Sequence, residues 1–187
     1  MPILGIATFR SLGFAVAAGL TLWASPALAA TASINYPYTA VSPRGVGTTV
    51  GLAVLLPASG TSGFALNFVL PRDYRNNGTV QIVLQLSSGN FVCAAQLVPV
   101  QVQRRRPGLT ATFSVAGLAA LDGSPTVNFL SNAVVEKIFT VKPAAGFPGQ
   151  RRGDSLTVQL NREADAAADT CAGIVSLHAI DIRYPLE

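Results

Sequence analysis

Phe64-Ala65-Leu66-Asn67-Phe68-Val69-Leu70 puts Phe64, Leu66, Phe68 and Leu70 on one side of an extended chain and Ala65, Asn67 and Val69 on the other. Successive strand side chains point to opposite faces, so a period of two marks a half-buried strand. Val80-Gln81-Ile82-Val83-Leu84-Gln85-Leu86 repeats the pattern, with Val80, Ile82, Leu84 and Leu86 opposed to Gln81, Val83 and Gln85. Between them lies Pro71-Arg72-Asp73-Tyr74-Arg75-Asn76-Asn77-Gly78, whose Asn-Gly end tolerates positive φ. The two runs read as an antiparallel hairpin with a long loop.

The same logic extends in both directions. Val98, Val100 and Val102 alternate with Pro99, Gln101 and Gln103; Leu109, Ala111, Phe113 and Val115 alternate with Thr110, Thr112 and Ser114; Leu156, Val158 and Leu160 alternate with Ser155, Thr157 and Gln159. Pro99 has no N–H to give a ladder, which places its strand at a sheet edge or a bulge. Less regular candidates are Ile34 to Ala40, Thr48 to Leu56, Thr126 to Leu130 and Val134 to Val141, and Ile174 to Tyr184 reads as a central strand covered on both faces. Nine or ten short strands separated by Gly, Pro, Asn and Ser turns are the pattern of an all-β, two-sheet antiparallel β-sandwich. Arg162 to Thr170, with Ala166-Ala167-Ala168, is the one helix-compatible stretch, and at that length it is expected to be a loop.

The N-terminal residues have a different character. Arg10 precedes an apolar run from Leu12 to Ala24, followed by Ser25-Pro26-Ala27-Leu28-Ala29. That is the order of a secretory signal peptide, with small residues at −3 and −1 of a cleavage site after Ala29. The run is shorter than the roughly 20 residues that a membrane-crossing helix needs. The expected division is therefore a signal at 1–29, a loosely ordered N-terminal arm at 30–42 and a β-sandwich domain at 43–187, secreted or periplasmic after cleavage and not membrane-spanning. In an oxidising compartment Cys93 and Cys171, the two cysteines of the chain, are expected to form one disulfide; two separate buried thiols are the rival reading.

Charge is sparse: charged residues make up 12% of the chain, and its net charge of +4 comes from local clusters, so general nucleic-acid binding is not indicated. Catalytic patterns are equally thin. His178, the one histidine, sits in phase with Ile180, Ile182 and Tyr184 and reads as a satisfied strand residue. No Gly-x-Ser-x-Gly elbow, HExxH or paired CxxC occurs. Zinc lacks ligands, and a glycosidase pair would have to come from distant loops among only nine acids. No cofactor is expected and the chain is read as a non-enzyme. Asp181 reads as part of a salt bridge or a solvated face.

Three groups remain as binding candidates. Glu163, Asp165 and Asp169 crowd one segment and offer hard oxygen ligands for calcium, though without EF-hand spacing; the plainer reading is a polar loop. Arg104-Arg105-Arg106 and Arg151-Arg152 lie beside Pro and Gly, and guanidinium forks suit the carboxylate, sulfate or phosphate of an anionic ligand. The plainer reading is a solvated loop. Tyr74, with Tyr36 and Tyr38, would be the stacking platforms of a sugar site.

Leu70-Pro71-Arg72-Asp73-Tyr74, Gly153-Asp154-Ser155-Leu156-Thr157-Val158, Arg162, Asp169-Thr170-Cys171-Ala172-Gly173 and the closing strand to Tyr184 together resemble a scattered group of jelly-roll proteins found among exported bacterial and phage surface proteins. The resemblance implies a two-sheet jelly roll with the last strand inside a sheet and a binding or scaffold role at the cell surface. The functional expectation is an exported non-enzymatic structural or surface-interaction component, with a carbohydrate-binding module as the alternative and a glycoside hydrolase behind it. Its partners would be a neutral or anionic glycan or a surface protein, with self-association through the N-terminal arm.

Overall fold

A computed structural model describes residues 30–37, 41–45, 47–50, 53–89, 91–110, 112–142 and 149–187. The expected signal segment, 1–29, lies outside the described residues. Among the described residues there are thirteen strands: β1 (Thr31–Pro37), β2 (Val41–Gly45), β3 (Thr48–Val50), β4 (Ala53–Leu56), β5 (Thr61–Val69), β6 (Val80–Ser87), β7 (Cys93–Arg105), β8 (Thr112–Ala116), β9 (Leu121–Asp122), β10 (Thr126–Phe129), β11 (Val135–Val141), β12 (Ser155–Glu163) and β13 (Val175–Pro185). One short helix, α1 (Gly117–Ala120), follows β8, and Arg162 to Thr170 contains no helix. The count exceeds nine or ten because short pieces such as β3 and β9 carry too few residues to show a period.

The strands form two antiparallel sheets. The first is ordered β3-β4-β13-β6-β11-β9, with β1 beside β4 along the same side of β13; the second is ordered β10-β7-β12-β5-β2, with β8 beside β10 on β7. The principal orders β4-β13-β6-β11 and β5-β12-β7-β8, joined mainly by connections that pass from one sheet to the other, make a jelly roll.

Phe64, Leu66 and Phe68 of β5 and Leu156, Val158 and Leu160 of β12 face inward from the second sheet, while Ile82, Leu84 and Leu86 of β6 and Ile180 and Ile182 of β13 face inward from the first. All are buried. At about 1.5 to 3 kcal/mol for each fully buried large aliphatic or aromatic side chain, this double layer is the main force holding the sheets together. Truncating one member, Leu84→Ala for example, would cost roughly 2 to 5 kcal/mol.

The predicted hairpin of β5 and β6 is corrected. β5 pairs with β12 and β2, whereas β6 pairs with β13 and β11, so the 70–79 segment crosses from one sheet to the other. Both strands turn apolar faces toward one core, and alternation alone does not distinguish side-by-side strands from facing ones. The loosely held arm is also corrected: residues 31–37 form a full strand, paired from Thr31 opposite Pro185 to Pro37 opposite Ala179, with Ala32, Ile34 and Tyr36 half-buried.

Two bulges matter for the surface. Gln101 pairs with Gln159 but Pro99 pairs with Leu160, which leaves Val100 as the extra residue; Pro99 therefore marks a bulge in an interior strand rather than an edge. On β13, Leu177 pairs with Leu86 and Ala179 with Gln85, so His178 is the extra residue. The bulge takes it out of phase with Ile180, and its Nε2 lies 2.8 Å from Ser87 Oγ.

The connections gather at two ends. At one, the β4–β5, β6–β7, β10–β11 and β12–β13 connections are tied by backbone bonds such as Asn132 N–H to Gly89 O and Thr170 N–H to Ala94 O. At the other, the β5–β6, β7–β8 and β11–β12 connections meet, with Asn77 N–H donating to Gln150 O.

Candidate functional site

The arginine run does not act as a set. On β7, Val102 and Arg104 point inward while Gln103 and Arg105 point out, because the strand alternates. Arg104 is fully buried: its Nη1 donates to Gly149 O at 2.8 Å, and its guanidinium carbon sits 4.6 Å from the centre of the Phe113 ring. Arg106 forks onto buried Asp154, Nε to Oδ1 at 2.9 Å and Nη2 to Oδ2 at 3.1 Å, and Arg151 N–H donates to the same carboxylate at 2.9 Å. Burial pulls the pKa of Arg104 down, against the opposing pull of Asp154, whereas the hydrogen bond to Asp154 raises that of Arg106. Of the three arginines, only Arg105 stands exposed to solvent.

Tyr74 is not a stacking platform. It is completely buried, its hydroxyl donates to Gly78 O at 2.5 Å, and its ring meets Tyr184 edge-on at 6.4 Å. Tyr36 is half-buried against Phe68, with ring centres 6.5 Å apart. Tyr38 lies outside the described residues.

The acidic segment does not assemble a calcium site. Asp169 accepts from Arg162, from Gln96 N–H and from Cys171 N–H, and it faces Arg162 with both side chains out of solvent. Among the described residues no group of three potential ligands converges. Arg162 also donates to the carbonyls of Leu56, Pro57, Cys171 and Gly173, which closes one end of the sandwich. Cys93 and Cys171 are joined as a disulfide at the same end. Asp181 accepts from Asn35 Nδ2, and Arg183 pairs with Glu136 across the outer face of the first sheet.

Three concavities gather on the outer face of the second sheet. One hollow of about 270 Å³ lies beside Arg105, Pro107, Leu109 and Gly153; a second of about 250 Å³ lies over Gln103, Thr112 and Thr157; both touch Arg105 and Ser155. A third of about 260 Å³ lies over Arg44, Thr61, Gln159 and Asn161. Ser155, Thr157, Gln159 and Asn161 of β12 enter these hollows at alternate positions, so one strand floors all three as a shallow channel. At about 3.3 Å per residue it runs for roughly 20 Å from Ser155 to Asn161.

The channel walls are already organised. Thr157 Oγ1 donates to Asn67 Oδ1 on β5, Gln103 Nε2 donates to Gln101 Oε1 at 3.1 Å, and Gln101 Nε2 donates to Ser114 Oγ at 2.7 Å. No carboxylate lines the three hollows among the described residues, and arginines stand toward both ends: Arg105 and Arg106 at one, Arg44 at the other. Such a surface can exchange many hydrogen bonds with an extended polar chain and pair with its anions. Attention to charge and aromatics misses these positions, although the signal is present in the polar half of the alternation that defines β7 and β12.

No protein-family model and no characterised protein sequence matches the chain. Among solved structures it is similar to a Stig cyclase from Fischerella sp. TAU, in complex with (3Z)-3-(1-methyl-2-pyrrolidinylidene)-3H-indole, at 10% identity and a TM-score of 0.35, covering 72% of this chain and 65% of that one. It is also similar to the enzymatically active domain of tailspike protein 4 of bacteriophage CBA120, at 9% identity and a TM-score of 0.30, covering 81% of this chain and 19% of that one.

Proposed function

We propose that the chain is an exported, non-catalytic binding domain that holds an anionic polysaccharide along the β12 face. The observation that carries this reading is the channel itself: Ser155, Thr157, Gln159 and Asn161 follow one another at alternate positions, between arginines and without a carboxylate among the lining residues. Hydroxyls and amides replace the water bonds of a polyhydroxylated chain, while guanidinium forks take its carboxylates or sulfates. Amides already held by one another lose less freedom when a ligand arrives. Buried Tyr74 withholds the stacking that a neutral-sugar site uses, so charge carries more of the selectivity.

The non-catalytic part of the proposal is supported by how the buried acids are used. Asp154 and Asp169 each accept from arginine and from backbone N–H groups, as structural carboxylates do. Export is supported by the leader-like residues 1–29 and by the disulfide, which persists in oxidising compartments. Among the described residues no helix is long and apolar enough to cross a membrane.

Affinity electrophoresis through gels containing heparin, polygalacturonate or neutral dextran tests the reading. Retardation is expected in the two anionic gels and not in dextran, and Arg44→Ser with Arg105→Ser should weaken it at least tenfold. Equal retardation of the variant, or equal retardation by dextran, overturns it.

The structural-component reading has one observation in its favour. Phe91, Val92, Leu130, Val134 and Ile174 are exposed at the disulfide-bearing end, and exposed apolar groups of this kind mark interaction surfaces. Sedimentation of Val92→Ser/Leu130→Ser beside the parent chain tests it, since an assembly built on that end should dissociate and an unchanged mass would exclude it.

A further inference from the structure

We infer that a second, smaller site on the opposite sheet takes a single hydroxylated monocarboxylate. It is a pocket of about 190 Å³ where the ends of β1 and β13 meet the start of β6, lined by Thr31, Arg75, Thr79, Gln81, Arg183 and the Tyr184-Pro185 step. None of these residues lines the β12 channel, so the site stands whether or not that channel binds a polymer.

The fold delivers each group for a separate reason. Arg183 and Gln81 are register partners on adjacent strands, and Thr31 is the partner of Pro185 on the other side of β13. Arg75 is held at the rim by its own backbone, whose N–H donates to Pro185 O at 3.0 Å. The loop is therefore fixed while the guanidinium is exposed, and Arg75 makes no salt bridge among the described residues.

Charge and size select the ligand. Arg183 is already paired with Glu136 at 3.2 Å, whereas Arg75 has no salt bridge among the described residues, so one guanidinium is left to take one ligand carboxylate. Two threonine hydroxyls and the Gln81 amide suit ligand hydroxyls, while Tyr184 and Pro185 supply the less polar wall. At about 30 Å³ of liquid per water molecule, the pocket holds roughly six waters, which is room for a small molecule and not for a polymer segment. The bidentate match between guanidinium and carboxylate makes Arg75 the expected anchor.

Amide-resolved NMR titration with glucuronate, glucose and inorganic phosphate tests the site. Glucuronate is expected to give saturable shifts at Thr31, Thr79, Gln81 and Tyr184, glucose none there, and phosphate a weaker response. Arg75→Gln should raise the apparent Kd at least tenfold while the rest of the spectrum stays in place, and Arg183→Gln serves as the second variant should the first fold poorly. Arg105→Ser, in the β12 channel, should leave the titration unchanged. Glucose matching glucuronate, phosphate binding more tightly, an unaltered Kd in both variants, or the absence of saturable shifts overturns the inference. A polymer-binding failure on the β12 face would leave these outcomes untouched.

Discussion

Arg162 donates to both carboxylate oxygens of Asp169, Nε to Oδ2 at 2.9 Å and Nη2 to Oδ1 at 3.0 Å, and neither side chain reaches solvent. Because the same guanidinium also holds carbonyls of the β4–β5 and β12–β13 connections, the pair is a structural knot. Removing one partner strands a buried charge, which typically costs about 3 to 5 kcal/mol. Asp169→Asn is therefore expected to lower Tm by roughly 6 to 20 °C, at about 2 to 4 °C per kcal/mol for a domain of this size. Replacing both residues, as Arg162→Met/Asp169→Leu, should cost less than the sum of the single changes. Calorimetry showing Asp169→Asn within 2 °C of the parent would remove the pair from the account of stability.

The disulfide acts on the same end of the sandwich, since Cys171 both bonds to Cys93 and offers its carbonyl to Arg162. Its two cysteines are 78 residues apart, and the chain-entropy model gives about 4 to 5 kcal/mol for closing such a loop. Reduction should lower Tm and release two thiols per chain. Because both devices restrain the segment from Arg162 to Gly173, reduction of Asp169→Asn should cost less than the separate losses added together. Full additivity in a reduced/oxidised cycle would show that the devices act independently.

How much of this was legible before the structure follows from what alternation encodes. Phe64 to Leu70 and Val80 to Leu86 each declare a buried face, so the sandwich and much of its core follow from period two. Which strand lies beside which is not encoded there, and the supposed hairpin of β5 and β6 became two facing strands because both face patterns serve one core. The site was legible in a less obvious half of the same signal. Arg104 and Arg105 are adjacent and chemically alike, yet strand parity buries one and exposes the other. Tyr74 in a polar loop looked exposed, but the crossing loop folds its ring beneath Tyr184. Three-residue strands such as β3, by contrast, carry too few positions for any period to be read.

That parity makes the arginine run separable by mutation. Arg105→Ser should weaken retention on a heparin column, moving elution to lower salt, while changing Tm by less than about 1 °C, as surface substitutions do. Arg104→Ser should do the reverse: it removes the Gly149 bond and the Phe113 contact from the interior, and the expected loss is roughly 2 kcal/mol or more in stability. Measuring both properties on both variants decides the matter. Equal loss of retention from the two, with neither destabilised, would mean that Arg104 faces solvent and that β7 is out of register.

Tyr74 supplies the alkaline limit of stability. Burial, reinforced by the negative charge of Asp154, pushes its hydroxyl up to about 12 from an ordinary value of 10.0. A group whose folded pKa lies above its unfolded one contributes stability that is complete below the unfolded value and disappears as pH rises through the folded value. Between about pH 10 and 12 the unfolded chain thus binds fewer protons than the folded one, and unfolding free energy should fall, by up to roughly 2 kcal/mol from this residue. Tyr184 is raised in the same direction, chiefly by burial, and adds to the slope. Tyr74→Phe loses the bond to Gly78 O, so it should be less stable at pH 8, yet its stability should decline less steeply above pH 10. Urea titrations of both proteins at pH 8, 10 and 11 check this. Parallel pH dependence in the two would mean that the Tyr74 hydroxyl ionises in the folded protein as readily as in the unfolded chain.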